Sequence, residues 1–142
     1  SSLVLDRFGK LWTVTDGRTA GIPAALYRID AATRRVEQVY TFASGDHPSS
    51  VTLNGTRDTL YFINRDVWRM RVDAEALPVT PFLPYTQTTY YEVAVDPLTS
   101  EVYVADAIDY VQHGVVYRFT PRGAAVDTIR VGITPGSFCF KP

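Results

Sequence analysis

One cysteine, one methionine and two histidines stand among 142 residues, and each scarcity removes a class of protein. With Cys139 alone, neither an intrachain disulfide framework nor a multi-cysteine zinc site can be built. His47 and His113 show no HxH or HExxH spacing, so the pattern of a zinc or iron centre is missing and no metal is expected. Asp106-Ala107-Ile108-Asp109 lacks the alternating oxygen ligands and the bidentate glutamate of a calcium loop. There is no apolar run of about 18 residues to cross a membrane as a helix. A net charge of −1, from 14 basic and 15 acidic residues, is not the footprint of a nucleic-acid binder. No leader is visible at Ser1, which is silent on export because a processed chain would have lost it.

What the chain does have is β pattern. It is 46% hydrophobic and 13% aromatic, with period-2 alternation of β-branched and aromatic residues between turn-forming clusters, and this spacing predicts strands throughout. A single helical turn over 74–77, stopped by Pro78, is the most helix the pattern allows. The strands repeat. Leu3-Val4-Leu5-Asp6 answers to Val51-Thr52-Leu53-Asn54 and to Val93-Ala94-Val95-Asp96. Leu11-Trp12-Thr13-Val14 answers to Leu60-Tyr61-Phe62-Ile63 and to Val102-Tyr103-Val104-Ala105. A third strand recurs around Tyr27-Arg28, Trp68-Arg69 and Tyr117-Arg118, and a fourth over 36–42, 79–83 and 126–131. From Asp6 to Asn54 to Asp96 the period is 48 and then 42 residues, the length of a four-stranded propeller blade. Trp12, Tyr27, Tyr61, Trp68, Tyr103 and Tyr117 recur at fixed sheet positions and are assigned to packing between blades.

The expected architecture is therefore all-β: a β-propeller fragment of about three four-stranded antiparallel blades, over about 1–44, 45–86 and 87–134. Pro135-Gly136-Ser137-Phe138-Cys139-Phe140 matches Pro48-Ser49-Ser50-Val51-Thr52-Leu53, which opens a blade, so 135–142 is expected as an orphan C-terminal strand with Cys139 as a small hydrophobe in it. A lone first strand has bare backbone edges. Its expected partner is the N-terminal half of the same propeller or a second copy of this chain.

Turn residues Asp6, Asn54 and Asp96 bring the tight connections to one end of the blades. The longer loops, 15–25, 64–66 and 106–114 within blades and 43–49, 84–91 and 132–137 between them, emerge at the other end, where binding chemistry is generally placed. These loops carry Tyr85, Tyr90, Tyr91 and Tyr110, rigid apolar faces with hydrogen-bonding tips. Near them in sequence stand Asp16, Arg18, His47, Arg65, Asp109 and Gln112, with Gln87 close by. These ten, Gln87 apart, are the candidate ligand-binding residues, although Tyr90 or Tyr91 could equally open an inner strand and pack between blades. Catalytic residues are not expected. Ser44, Ser49 and Ser50 lie near His47 without a GxSxG elbow, carboxylate pairs would have to come from separate blades, and a Walker-type phosphate loop is missing. No pattern requires a cofactor.

Four ordered phrases go beyond generic repetition: Leu11-Trp12-Thr13-Val14-Thr15-Asp16-Gly17, Asp58-Thr59-Leu60-Tyr61-Phe62-Ile63-Asn64, the run from Val102 to Gln112, and Val131-Gly132-Ile133-Thr134-Pro135-Gly136-Ser137-Phe138. Together they resemble the C-terminal half of the YncE-like, YVTN/NHL-type propeller proteins of Bacteroidetes, often labelled surface-layer proteins. The resemblance implies export as a lipoprotein to the cell envelope or outer-membrane surface, a larger ring, and a preceding half. It extends to the BtuG-type branch, which captures cobalamin at the outer surface. The expectation is a non-enzymatic envelope propeller that captures a small molecule, a corrinoid among the choices, or a partner protein through its loop-rich face. A propeller enzyme of lactonase or hydrolase type and a structural surface-interaction module are the alternatives, since one fold hosts many functions.

Overall fold

The computed structural model describes residues 3–86, 89–133 and 135–141. Its strands are β1 (Leu3–Leu5), β2 (Lys10–Val14), β3 (Ala25–Asp30), β4 (Val36–Thr41), β5 (Ser49–Leu53) and β6 (Thr59–Asn64). They continue as β7 (Asp66–Arg71), β8 (Tyr90–Val95), β9 (Val102–Asp106), β10 (His113–Phe119) and β11 (Ala125–Ile133). Each sheet is an antiparallel meander: β1-β2-β3-β4, then β5-β6-β7, then β8-β9-β10-β11. Among the described residues there is no helix, and 74–77 holds only a bend at 75–76 after a turn at 72–73.

The hairpin ends follow from turn chemistry. Asp6 Oδ1 accepts from the amides of Phe8 (2.8 Å) and Lys10 (3.0 Å), and Asp96 Oδ1 from Leu98 (2.8 Å) and Thr99 (3.3 Å). Asn54 does the same for Asp58 (3.1 Å) and Thr59 (3.2 Å). Short polar side chains at these positions replace backbone partners that the turn removes.

Alternation along the middle strands decides which neighbour each side chain meets. Trp12 on β2 joins Val51, Leu60 and Phe62 in a buried cluster between the first and second sheets. On β6 the opposite face, Tyr61 and Ile63, packs with Val93, Val95, Val102 and Val104 between the second and third. Strand β5 therefore lies against β1, and β8 against β5, so the first strands form a common inner wall. Among the described residues no strand of the first sheet meets one of the third, so the three sheets make an open arc.

Two expectations need correction. The fourth strand of the second blade is absent; from 79–83 only the bridge Val67↔Leu83 survives. Pro78, Pro81 and Pro84 explain this, because proline supplies no ladder N–H and restricts its predecessor. Val79 is left 94% exposed, while Leu83 is still buried against Val67. The second correction concerns the tail: residues 135–141 form no strand, and Cys139 is exposed. A strand needs a neighbour to complete its ladder, and no described strand pairs with this segment. Its side chains nevertheless take the places that the repeat assigns. Phe138 and Phe140 lie 6.2 and 5.4 Å from the Tyr103 ring, as Val93 and Val95 cluster with Tyr61.

Among the described residues the first sheet has no such cover on its far side. The register pairs Leu3 with Thr13 and Leu5 with Leu11, then Leu11 with Ile29, Tyr27 with Val39 and Ile29 with Val36. On that one face Leu3 (54%), Leu5 (44%), Val36 (54%) and Val39 (47%) are exposed. The equivalent faces of the inner sheets, with Leu60 and Phe62 or Val102 and Val104, are buried.

Candidate functional site

At the end of the sheets opposite the Asp6, Asn54 and Asp96 turns lies an open cleft of about 950 Å³. Its wall comes from the residues that open the inner strands: Pro48, Ser49 and Ser50, then Tyr91 and Glu92, and Gly136 of the tail. Its rim comes from the loops, through Asp16, Arg18, Arg65, Tyr85 and Tyr110.

The first rim segment is pinned to the neighbouring blade. His47 Nδ1 is 2.7 Å from the Asp16 carbonyl oxygen, and since a carbonyl only accepts, Nδ1 carries the proton. Gly17, at φ +66°, permits this close approach; a Cβ there would stand 2.7 Å from Ala24 N and 3.1 Å from Asp46 O. Arg18 Nε pairs with Asp16 Oδ2 at 3.3 Å, an exposed contact of little energetic weight.

On the second blade the β6–β7 hairpin pairs Asn64 directly with Asp66, leaving Arg65 alone at the tip with φ +62°. Its guanidinium lies 4.3 Å from the centre of the Tyr85 ring. Tyr85 is held there by its own amide, which donates to Asp66 Oδ1, and by the Val67–Leu83 bridge just before it (3.0 Å in both directions). What remains of the fourth strand thus positions a cleft residue.

The third blade contributes Tyr91 and Tyr110, in edge-on contact at 6.0 Å. Buried Asp106 ties their loops together: its Oδ1 accepts from Thr89 N (2.9 Å) and Ile108 N (2.8 Å), and its Oδ2 from the Tyr117 hydroxyl (3.3 Å). Burial, and then the Asp106 carboxylate, raises the pKa of that hydroxyl. Ser50 donates to Glu92 Oε1 at 2.8 Å and accepts from Val93 N at 2.9 Å, joining equivalent positions of adjacent blades. Ser50, Arg65 and Tyr110 all hold left-handed backbone (φ 59°, 62° and 65°), a strain that the surroundings must maintain.

Of the sequence candidates, Asp16, Arg18, His47 and Arg65 line this cleft, as do Tyr85, Tyr90, Tyr91 and Tyr110. Asp109 and Gln112 do not. Asp109 Oδ1 accepts from the amides of Val111 (3.0 Å) and Gln112 (2.9 Å), and its Oδ2 from the Gln112 side-chain amide (2.9 Å), a self-contained turn. The Gln112 amide, followed by those backbone bonds, holds the Asp109 carboxyl below its ordinary range. Gln87 lies outside the described residues. Sequence reasoning weighed Ser50 only as a nucleophile without its elbow and did not consider Glu92, yet the two occupy equivalent positions near the start of the inner strands β5 and β8, each directly after a cleft residue, Ser49 or Tyr91. Comparing these opening positions across the repeat would have found them. Among the described residues no three histidine, cysteine, aspartate or glutamate side chains converge as metal ligands.

No family model matches the chain, and no curated protein matches it. Solved structures do. A quinonprotein alcohol dehydrogenase-like protein from Bacteroides thetaiotaomicron superposes with a TM-score of 0.70 at 16% identity, over 92% of this chain and 33% of its own. A protein of unknown function from Bacteroides caccae superposes with a TM-score of 0.58 at 12% identity, over 78% of this chain and 38% of its own. At these identities the likeness concerns the fold: the chain is an all-β propeller arc of three blades. It spans about a third of the first neighbour's length and 38% of the second's.

Proposed function

We propose that this arc belongs to a non-enzymatic binding propeller of the cell envelope, which captures a small molecule in the cleft at its loop-rich end. The observation that carries the reading is the convergence of four tyrosines, two arginines and a histidine, drawn from three blades, on one concavity of about 950 Å³. That size suits a small-molecule site, and aromatic faces with a few polar groups are its usual lining. The resemblance to YncE-like and BtuG-type propellers makes a corrinoid the ligand to try first and the outer surface the place to look. For a hydrolase the geometry offers less: the Ser50 hydroxyl donates to Glu92, a partly buried bond between blades.

The test is size-exclusion chromatography with light scattering, with and without cyanocobalamin, read also at visible wavelengths. A coloured protein peak with stoichiometric corrinoid supports capture. A colourless peak removes the corrinoid, and a small-molecule thermal-shift screen without any hit would favour a surface-interaction module instead. A ligand present at 100 times its Kd stabilises a fold by about 2.7 kcal/mol, which such a screen detects.

The same run addresses partners. The exposed row Leu3, Leu5, Val36 and Val39 matches faces that, in the second and third sheets, a preceding blade buries. We infer that a further blade covers it, from a preceding half of the same propeller or from a second copy. A dimer mass points to the second copy; a strictly monomeric chain at high concentration argues against it.

A further inference from the structure

We propose that Arg65, laid on Tyr85, is the anchor of the cleft for a carboxylate or phosphate group, so that the captured molecule is an organic anion carrying a flat ring. The inference rests on the reading of the cleft as a binding site and names the ligand chemistry. Three cationic or protonatable side chains line the cleft, and their commitments differ. Arg18 is engaged by Asp16 at 3.3 Å, and His47 Nδ1 by the Asp16 carbonyl at 2.7 Å. Arg65, among the described residues, has only the face of Tyr85, 4.3 Å away. Stacking occupies the flat of a guanidinium and leaves its fork of N–H donors at the edge, the geometry that takes a carboxylate or phosphate in two parallel bonds. Among the described residues no carboxylate is ion-paired with Arg65; an oxygen of Asp66 accepts from the Tyr85 amide, Asp16 is paired with Arg18, and an oxygen of Glu92 accepts from Ser50.

The anchor is set before any ligand arrives. Arg65 projects from a hairpin tip whose flanking residues, Asn64 and Asp66, pair directly, and its left-handed φ of 62° sets the direction in which its Cβ leaves the backbone. Tyr85 is tied to the same hairpin through Asp66 and the Val67–Leu83 bridge. The ring contact thus holds the guanidinium beside the cleft before a ligand arrives, which lowers the ordering cost of binding. In the same cleft, Tyr91 (37% exposed) and Tyr110 (53% exposed) meet edge-on at 6.0 Å and keep part of their ring surface uncovered. With its anionic group at Arg65, the ligand leaves an attached ring inside the same cleft, whose tyrosines are the faces available to stack on it.

The test titrates three probes by NMR into the wild-type chain, Arg65→Lys and Arg65→Asn: phenyl phosphate, benzoate and the neutral benzamide. Asparagine tolerates the left-handed backbone, and circular dichroism checks that each variant keeps the wild-type fold. The expected result is that both anions bind wild type more tightly than benzamide. Arg65→Asn should lose about tenfold in anion affinity and nothing in benzamide affinity, with Arg65→Lys in between because it keeps charge without the fork. The stronger of the two anion arms tells phosphate from carboxylate. Equal anion binding by wild type and Arg65→Asn, or no preference for anions over benzamide, overturns the anchor. If neither anion binds wild type while cyanocobalamin or a hit from the thermal-shift screen does, the anchor fails and the binding reading stands. If nothing binds in either experiment, both fall.

Discussion

Asp6 is where one repeat position does more than its equivalents. Its side chain is almost wholly buried, and besides the two turn amides it accepts from Trp12 Nε1 at 2.8 Å. Trp12 is itself buried, stacked on Tyr40 at 5.8 Å. Asp96, the same position in the third blade, makes only the turn bonds, because a tyrosine, Tyr103, stands where Trp12 does. Asp6→Ala should therefore cost the turn bonds, about 1 kcal/mol net, plus about 1–3 kcal/mol for a buried indole N–H left without an acceptor. Asp96→Ala should cost only the first part. With roughly 3 °C of Tm per kcal/mol for a domain of this size, the variants should melt about 10 °C and about 3 °C below wild type. Trp12→Phe keeps most of the ring but strands the Asp6 oxygen, so the double variant should show a coupling of about 1.5–2 kcal/mol. Urea and thermal unfolding followed by far-ultraviolet circular dichroism measure wild type and the four variants. Equal losses for Asp6→Ala and Asp96→Ala, or a coupling near zero, would refute the claim that this bond joins the turn to the inter-blade core.

Other outcomes follow from single contacts. A Cβ on Gly55 would sit 1.9 Å from the Pro97 carbonyl oxygen, so Gly55→Ala should push the second and third blades apart and cost about 2–3 kcal/mol in urea unfolding. The Lys10 ammonium, 2.7 Å away, followed by the Thr33 amide, holds the Asp30 carboxyl well below the ordinary carboxylate range. A depressed folded-state pKa means stability that is complete above the ordinary aspartate value of about 4 and lost as pH falls below it. The Tm difference between wild type and Asp30→Asn should accordingly hold constant near neutrality and shrink below about pH 4. Because the Lys10–Asp30 pair is partly solvated, the difference should also narrow in high salt.

Much of the site was legible because propeller loops follow from the repeat. Once strands are placed by period, the end at which each loop emerges is decided, and eight of ten candidates line a single cleft there. Asp109 and Gln112 sat in the right loop, but an aspartate followed by free amides closes a turn on itself, and sequence cannot tell that from a side chain offered to a ligand. Asp106 looked like one more loop acid and is a buried clamp between two loops.

Periodicity and turn chemistry by themselves determined the β class, the blade repeat, the inter-blade role of Trp12 and Tyr61, and the loop-rich end. These are local properties, since alternation selects a sheet face and an Asp or Asn closes a hairpin wherever it stands. Only tertiary structure decided that 79–83 shrinks to one bridge, that 135–141 packs on Tyr103 without becoming a strand, and that Arg65 lies on Tyr85. Each of those depends on a partner distant in sequence or on the lack of one. A strand exists only with a neighbour to complete its hydrogen bonds, and a side chain acquires a role only from what the fold brings beside it.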